Sequence, residues 1–252
     1  MEASKTSIIT QTAPVLIIPD VIPPDLCRTL IDAWNEQSEE SFMMVEQDDG
    51  GLRRMYDRET KARLDHFVTA PGILEELKIH VTERVCPAMR TAFRFDATRF
   101  EEFRVGCYDA STGGYFRPHR DDILEGVSHR LFALAVNLNA GQYEGGCLRF
   151  PEYGDNLFHP GSGGAVVFSG GLLHEVTPVV SGRRFALVTF LYGEKESQQR
   201  RAYYRRTMLG PELAALVHPG PAPRDGAIDP PGAIAAIDAM SRAHDEPATA
   251  PV

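Results

Sequence analysis

Hydrophobic and polar positions follow a helical period along much of the first hundred residues. After a short β-rich run at 14–20, the segment 22–37 predicts a helix that begins near Pro24. The apolar positions of this segment recur with the spacing of one helix face, at Leu26, Leu30, Ile31 and Trp34. Residues 71–93 show a second helical pattern, whereas the polar, glycine-broken stretch 46–58 predicts a surface loop.

From residue 99 the pattern changes to short runs rich in β-branched and aromatic residues, separated by Gly, Asn, Asp and Ser. These runs are FRVGCYD, HRLFALAVNLN, CLRFPE, GAVVF, HEVTPVV and FALVTFLYG. Many short strands at close spacing predict a β-sandwich or a barrel. Leading helices followed by such a core predict a mainly β, α+β fold in which the N-terminal helices pack on one sheet.

The same patterns predict how the chain is divided. We expect a single domain over 1–208, with a helical N-terminal part at 1–98, a β-rich core at 99–193 and a C-terminal helix at 194–208. Residues 209–252 are rich in Pro and Ala with scattered charges, so they predict a mostly flexible tail.

Composition and charge narrow the class of partner and the compartment. The net charge of −9 disfavours nucleic acid and anionic membranes as partners. The N-terminus has no signal-peptide pattern, and no stretch is long enough to cross a bilayer. Four cysteines without a CxxC pair disfavour a zinc knuckle or a disulfide scaffold, and predict a cytoplasmic protein: Cys27, Cys86, Cys107 and Cys147.

The stretch GGYFRPHRDD at 113–122 carries the first candidate chemistry. On an extended segment, residues two apart point to the same face, so the side chains of His119 and Asp121 can converge on one point. His174 begins a later β-rich run and supplies a third candidate ligand. Two histidines and one carboxylate on one face of an octahedral metal form the facial triad of non-haem Fe(II) oxygenases.

A basic residue near His174 is the next candidate. The sequence HEVTPVVSGRRFALVTF predicts a strand, a Ser-Gly turn and a second strand that an arginine opens. A three-residue loop places Arg184 on the face of His174, whereas a two-residue loop places Arg183 there, and both lengths are common. An arginine beside a metal is suited to binding a carboxylate through two parallel hydrogen bonds.

Four segments together resemble the 2-oxoglutarate and Fe(II)-dependent dioxygenases, in their prolyl 4-hydroxylase-like branch: FRVGCYDASTGGYFRPHRD, FALAVNLNAGQYEGGCLRFPEYG, GGAVVFSGGLLHEVTPV and SGRRFALVTF. The resemblance covers roughly residues 100–193. It implies a double-stranded β-helix, or jelly roll, in which His119, Asp121 and His174 bind Fe(II). It further implies that Arg184 pairs with the distal carboxylate of 2-oxoglutarate and that Tyr108 helps to bind this cosubstrate. O2 is the second cosubstrate, and ascorbate is a candidate cofactor.

The implied activity is hydroxylation of an unactivated C–H bond in an amino-acid, peptidyl or small natural-product substrate, with release of succinate and CO2. Phe116 stands three positions before the metal histidine, where prolyl hydroxylases often carry a tyrosine, which weakens proline as the expected substrate. Candidate substrate contacts are Arg117, Asn137 and Asn139. The alternatives are a non-catalytic metal-binding jelly-roll sensor and a nucleic-acid demethylase of the same superfamily. The sequence does not fix the oligomeric state, and a homodimer is one alternative.

Overall fold

Four helices lie at the N-terminal and C-terminal ends of the part that the computed structural model describes, residues 12–48 and 50–216. They are α1 (Pro24–Glu36), α2 (Pro71–His80), α3 (Cys86–Phe93) and α4 (Glu194–Leu216). One π-helical turn, Val81–Val85, joins α2 to α3, so the helices predicted at 22–37 and 71–93 are confirmed. None of the helices in these ranges is long and apolar enough to span a membrane.

Most strands belong to two sheets. They are β1 (Leu16–Ile18), β2 (Glu39–Glu40), β3 (Met43–Glu46), β4 (Leu52–Met55), β5 (Leu64–Phe67), β6 (Arg99–Phe100), β7 (Arg104–Asp109), β8 (Phe116–His119), β9 (Phe132–Asn137), β10 (Tyr143–Gly145), β11 (Leu148–Arg149), β12 (Leu157–Phe158), β13 (Ala165–Ser169), β14 (His174–Val176) and β15 (Val179–Tyr192). The major sheet runs β1-β13-β9-β15-β7-β5-β2, and β6 and β10 also pair with β15. The minor sheet runs β12-β11-β14-β8.

The two sheets face each other across an apolar layer, which confirms the predicted jelly roll. This inner layer joins Tyr108 and Phe168 of the major sheet to Leu148 and Val176 of the minor sheet. Successive side chains of a strand point to opposite faces, so the other face of the major sheet needs a separate cover.

The helices α1, α2 and α3 provide that cover, as predicted. On β9, Leu134 and Val136 join a cluster that contains Leu30 and Met89 of the helices. The alternate position Ala135 belongs to the inner layer instead. The large side chains of this strand therefore pack under the helices, and small ones leave space inside the sandwich.

The N-terminal part differs from the sequence prediction in two ways. Besides β1, which lies in the β-rich run predicted at 14–20, strands β2 and β5 extend the major sheet, so the part predicted as helical supplies further strands. The predicted surface loop 46–58 is wrong over β4, which pairs with β3 in a hairpin. Both hairpin strands, MMVE and LRRM, are only four residues long and do not alternate apolar with polar residues, so the period of two gives no signal.

At the other end of the chain, α4 begins where the sequence predicts a helix and continues eight residues beyond 208, to 216. The remainder of the predicted tail, 217–252, lies outside the described residues. The division into one domain and a tail stays a prediction.

Candidate metal centre

Strand pairing brings the two candidate histidines together. His119 ends β8 and His174 begins β14, and the two residues are direct partners in the antiparallel pair β8–β14. Their rings lie with centroids 4.2 Å apart. Directly opposed residues of antiparallel strands have their Cβ atoms within about 5.5 Å of each other, which explains why two positions so distant in sequence share one site.

Asp121 lies just beyond the end of β8, where its backbone N–H donates a hydrogen bond to the carbonyl oxygen of Gly170 at 2.9 Å. Its Oδ1 lies 3.6 Å from Nε2 of His119, and its Oδ2 lies 3.4 Å from Nε2 of His174. One ligand atom from each of the three residues lies within 4.8 Å of the ligand atoms of the other two. The structure thus places all three predicted ligands around one point.

Hydrogen bonds at the far ring nitrogens orient both imidazoles. Nδ1 of His119 lies 2.7 Å from the carbonyl oxygen of Arg117, and Nδ1 of His174 lies 2.9 Å from that of Leu172. Because a carbonyl oxygen only accepts, each Nδ1 carries the proton and each Nε2 keeps a free lone pair directed towards Asp121. Burial and the adjacent His174 ring lower the pKa of His119 to about 3. The neutral, metal-binding form of His119 is therefore favoured at neutral pH.

This donor set fits Fe(II). Two neutral imidazoles and one carboxylate are the ligand types of the facial triad, and they leave further coordination positions open. The site is half-buried at His119 and buried at His174. Phe116 stacks on the His119 ring with centroids 3.5 Å apart, so one side of the centre is closed by an apolar ring.

Arg184 faces the metal centre from the other sheet. The predicted hairpin between His174 and Arg184 is wrong, because residues 179–192 form the single strand β15, which pairs with β7 and β9, whereas His174 pairs in the minor sheet. The Ser-Gly pair instead pairs with β10, with Gly182 opposite Tyr143. Neither loop length considered for this turn applies. Arg184 is buried and lines the same cavity as His174, whereas Arg183 is exposed.

The surroundings of Arg184 fit an anionic ligand. Its guanidinium lies over the ring of Tyr108, 5.2 Å from the centroid, and hydrogen-bonds the hydroxyl of Tyr143. Within the described ranges, no carboxylate forms an ion pair with it. A buried guanidinium without a carboxylate partner is costly unless a ligand supplies the anion. The distal carboxylate of 2-oxoglutarate would supply it.

A cavity of about 360 Å³ connects these groups. Its walls include the triad, Arg184 and Tyr108, together with apolar side chains of both sheets and of the β3–β4 hairpin. The volume lies at the lower end of the roughly 300–1,000 Å³ that small-molecule sites occupy. The cavity is therefore sized for a small substrate beside the cosubstrate.

The three residues predicted to contact substrate lie outside the cavity lining. Arg117 is exposed, and its guanidinium lies over the ring of Tyr115. Asn137 is buried, and it donates to the carbonyl oxygen of Pro160 and accepts from the hydroxyl of Tyr143. Asn139 donates to the carbonyl oxygen of Arg183 and accepts from the backbone N–H of Phe185. The prediction that these asparagines line the pocket is wrong, because their side chains tie loops to the sheet.

Three buried cations of the cavity wall escaped the sequence analysis, namely Lys61, Arg63 and Arg104. Lys61, Arg63 and Asp65 alternate with Ala62 and Leu64, which is the period of a strand with one charged face. This alternation is the sequence feature that could have identified these cations. Gly106 on the neighbouring strand β7 leaves space for the Arg63 side chain. A Cβ at this position would lie only 2.8 Å from Cδ of Arg63.

Comparison with known proteins agrees with this geometry. Residues 103–192 match the family model described as the 2OG-Fe(II) oxygenase superfamily, and this segment contains the triad, Arg184 and Tyr108. This match agrees with the superfamily predicted from the sequence for this segment. The reaction of that superfamily uses Fe(II), 2-oxoglutarate and O2. No curated protein matches the chain.

Solved structures share the fold. A prolyl-4-hydroxylase of Pseudomonas putida matches with a TM-score of 0.53 at 19% identity, over 72% of this chain and 93% of its own. A viral collagen prolyl hydroxylase of Paramecium bursaria Chlorella virus-1, in complex with 2OG, matches with 0.52 at 16%, over 73% and 98%. A Trichoplax adhaerens prolyl hydroxylase in complex with a hypoxia inducible factor peptide matches with 0.56 at 15%, over 75% and 87%.

Proposed function

We propose that this protein, a 2-oxoglutarate-dependent oxygenase by its core at 103–192, hydroxylates an unactivated C–H bond of an amino-acid, peptidyl or small natural-product substrate. One observation carries the proposal: the His-Asp-His cluster and the carboxylate-free guanidinium of Arg184 line one small cavity. The products would be succinate, CO2 and the hydroxylated substrate, which together account for both atoms of O2.

In this proposal, His119 and His174 hold Fe(II) through Nε2, and Asp121 holds it through its carboxylate. Bound Fe(II) supplies the redox chemistry that couples decarboxylation of 2-oxoglutarate to insertion of oxygen into a C–H bond. The protein supplies the geometry. The Nδ1 hydrogen bonds keep both rings in the metal-binding tautomer, and the bond from Asp121 N–H to Gly170 keeps the carboxylate close to them.

Arg184 and Tyr108 orient the cosubstrate. Arg184 would bind its distal carboxylate by two parallel hydrogen bonds, and the Tyr108 hydroxyl lies in the same wall. Nη1 of Arg63 donates to that hydroxyl at 3.1 Å, so the phenol proton is free to point into the cavity. Fixing the cosubstrate in one orientation before O2 binds lowers the entropy cost of the reaction.

The substrate wall disfavours a proline-specific enzyme. Phe116 offers no hydroxyl beside the metal centre, and its ring contacts both His119 and the ammonium of Lys61. A nucleic-acid substrate is also disfavoured, since the chain has a net charge of −9 and the cavity is small. We therefore place the substrate among small molecules and peptides. The proposed compartment is the cytoplasm, where the four free cysteines would stay reduced.

The test is Fe(II)-dependent release of succinate from 2-oxoglutarate, measured with and without a panel of amino acids, short peptides and small natural products. We expect activity in the wild type that a chelator removes and added Fe(II) restores. His174→Ala should abolish it, whereas the matched change His80→Ala, at a half-buried position of α2 outside the cavity lining, should not. A folded, iron-loaded wild type that consumes no 2-oxoglutarate under any condition would contradict the proposal.

A further inference from the structure

Six cations line the cavity, and three of them have clear carboxylate partners. Arg63 places Nε and Nη2 at 2.6 and 2.8 Å from the two oxygens of Asp65. Arg130 places Nε and Nη2 at 2.7 and 3.1 Å from those of Glu101. Nη2 of Arg120 lies 2.6 Å from Glu152, near the rim. Apart from Arg184, this leaves Lys61 and Arg104.

Arg104 shares a carboxylate that other groups already use. Its Nη2 lies 3.7 Å from Oε2 of Glu101, beyond hydrogen-bond distance, while Glu101 accepts hydrogen bonds from Arg130 and from Nε2 of His129 at 2.6 Å. Nε of Arg104 is buried and has no hydrogen-bond partner among the described residues. The guanidinium lies between the rings of Phe67 and Phe190, 5.5 and 5.9 Å from their centroids.

Lys61 likewise has no carboxylate partner of its own among the described residues. The residue is 6% exposed, and its ammonium donates one hydrogen bond, to the carbonyl oxygen of Phe42 at 3.0 Å. It lies over the Phe116 ring, 4.7 Å from the centroid, and in the described part of the chain it forms no ion pair with a carboxylate. Burial and the Arg63 guanidinium lower the pKa of Lys61 well below its ordinary value, so a carboxylate bound beside Lys61 would stabilise its charged form.

The cosubstrate does not compensate these charges. The charges of Fe(II) and Arg184 balance those of Asp121 and the two carboxylates of 2-oxoglutarate, so the loaded metal centre is neutral. Behind the wall, Asp65 and Glu101 compensate Arg63 and Arg130, and the further lining carboxylate, Glu46, is exposed to solvent. Two buried positive charges remain, and burying them without anions costs free energy. A wall of this kind is adapted to a ligand that brings negative charge.

We propose that Lys61 and Arg104 bind a carboxylate of the primary substrate, which is therefore a small carboxylic acid. The inference rests on the proposed function and names the substrate class of the same cavity. Lys61 and Arg104 line the same cavity and both donate hydrogen bonds, so a carboxylate could accept from both, whereas Phe190 in the same wall offers nothing to the additional oxygen of a phosphate. Phe116 contacts both Lys61 and His119, so a carboxylate bound at Lys61 would lie close to the metal centre.

This arrangement also predicts selectivity. A site built around two buried cations rejects the neutral amide of the same acid, because the amide leaves both charges uncompensated. Removal of one cation should weaken binding of a carboxylate by at least ~30-fold, the usual effect of truncating one partner of a buried charge pair.

The experiment measures thermal stability of the protein saturated with Fe(II) and 2-oxoglutarate without oxygen. The probes are acetate, propionate, butyrate and benzoate, each beside its primary amide and beside inorganic phosphate, at constant ionic strength set with NaCl. The variants are Lys61→Met and Arg104→Met. Arg53→Met, an exposed arginine outside the cavity lining, is the matched control.

In the wild type and in Arg53→Met, we expect carboxylates to raise the melting temperature and their amides to leave it unchanged. Lys61→Met and Arg104→Met should lose this response. Without probes, both variants should melt at or above the wild-type temperature, since each removes a buried uncompensated charge. The melting temperature without probes separates ligand binding from a structural role, because removal of a structural contact would lower it.

Three results would overturn the inference: equal responses to carboxylates and amides, including no response to either; a larger response to phosphate; or an unchanged carboxylate response in both variants. None of them depends on turnover, so the proposed function can hold while the inference fails. Conversely, a wild type that binds neither Fe(II) nor 2-oxoglutarate would refute the proposed function. Its response to the carboxylate probes could still be measured in the same experiment.

Discussion

The two faces of the major sheet differ in what they bury, although the same strands build both. On β15, Leu187 packs under the helices in an apolar cluster, while Arg184, three positions earlier, faces the cavity. On β7, Val105 and Cys107 point towards the helices, whereas Arg104 and Tyr108 line the cavity. The helix-covered face will be called the outer face, and the cavity-facing one the inner face.

This difference separates stability from function. The outer face buries apolar surface, which stabilises the fold at roughly 25 cal/mol per Å². The inner face holds a metal centre and cations that lack carboxylate partners, and such groups reduce stability unless a ligand compensates them. Changes on the outer face should therefore alter unfolding with little effect on ligand binding, and changes on the inner face should do the opposite.

The largest effect is expected on the inner face at Asp121. Asp121→Ala removes the only carboxylate of the triad, so we expect loss of Fe(II) binding and of succinate release, with no loss of apoprotein stability. Asp122→Ala, one position along, is the matched control, since Asp122 is not among the converging ligands. Metal content by atomic emission and succinate release measure the outcome. Retention of iron and turnover in Asp121→Ala would contradict the assignment of the metal centre to the inner face.

On the outer face, Leu187→Ala should lower the free energy of unfolding by about 2–5 kcal/mol, because a fully buried leucine leaves a cavity. Urea denaturation followed by far-UV circular dichroism measures the loss. The affinity of the folded protein for 2-oxoglutarate should stay within a factor of about two, well inside the 1.4 kcal/mol that a tenfold change requires. A loss of stability below about 1 kcal/mol would show that this face is not the stabilising one.

Arg184→Met tests the same strand from its inner face. Loss of a charge-assisted hydrogen-bond pair should weaken 2-oxoglutarate binding about 10- to 100-fold, while the unfolding free energy stays equal or rises. Isothermal titration of 2-oxoglutarate into the Fe(II) protein without oxygen gives the affinity. If unfolding were affected and binding were not, Arg184 would belong to the scaffold.

The smallest effect concerns pH. Burial alone would raise the pKa of Asp65, but the Arg63 guanidinium outweighs it and holds this pKa at about 2. Since the folded-state pKa lies below the usual value, the ion pair stabilises the protein above about pH 4, and this contribution of about 2 kcal/mol is lost as the pH falls from 4 to 2. Unfolding free energies over that range should fall less steeply in Asp65→Asn. Equal slopes would contradict the pairing.

Local patterns predicted what depends on neighbours in sequence. The spacing of His119 and Asp121 needs only an extended backbone, and the helices at 22–37 and 71–93 follow from their period, so these predictions match the structure. The strand signals from residue 99 onwards likewise predicted the sandwich. The resemblance named Arg184, and the structure places it in the cavity.

What failed depends on contacts between distant segments. A Ser-Gly pair between two apolar runs is typical of a hairpin, but here the pair lies opposite β10 and β15 continues through Gly182. Lys61 and Arg104 are charged residues that single-sequence reasoning places at the surface. Pairings between distant segments accompany their burial, of Arg104 with Phe67 and of Lys61 with Phe116. The asparagines near the end of β9 were assigned to the wrong environment for the same reason.

The most direct test of the inner face as an oxygenase site is an anaerobic titration of Fe(II) and 2-oxoglutarate into the apoprotein, followed by visible absorption. A metal-to-ligand charge-transfer band should appear in the wild type, should be absent in His174→Ala and should need far more 2-oxoglutarate in Arg184→Ala. A well-folded wild type that shows no band at any concentration would contradict the assignment of this cavity to Fe(II) and 2-oxoglutarate.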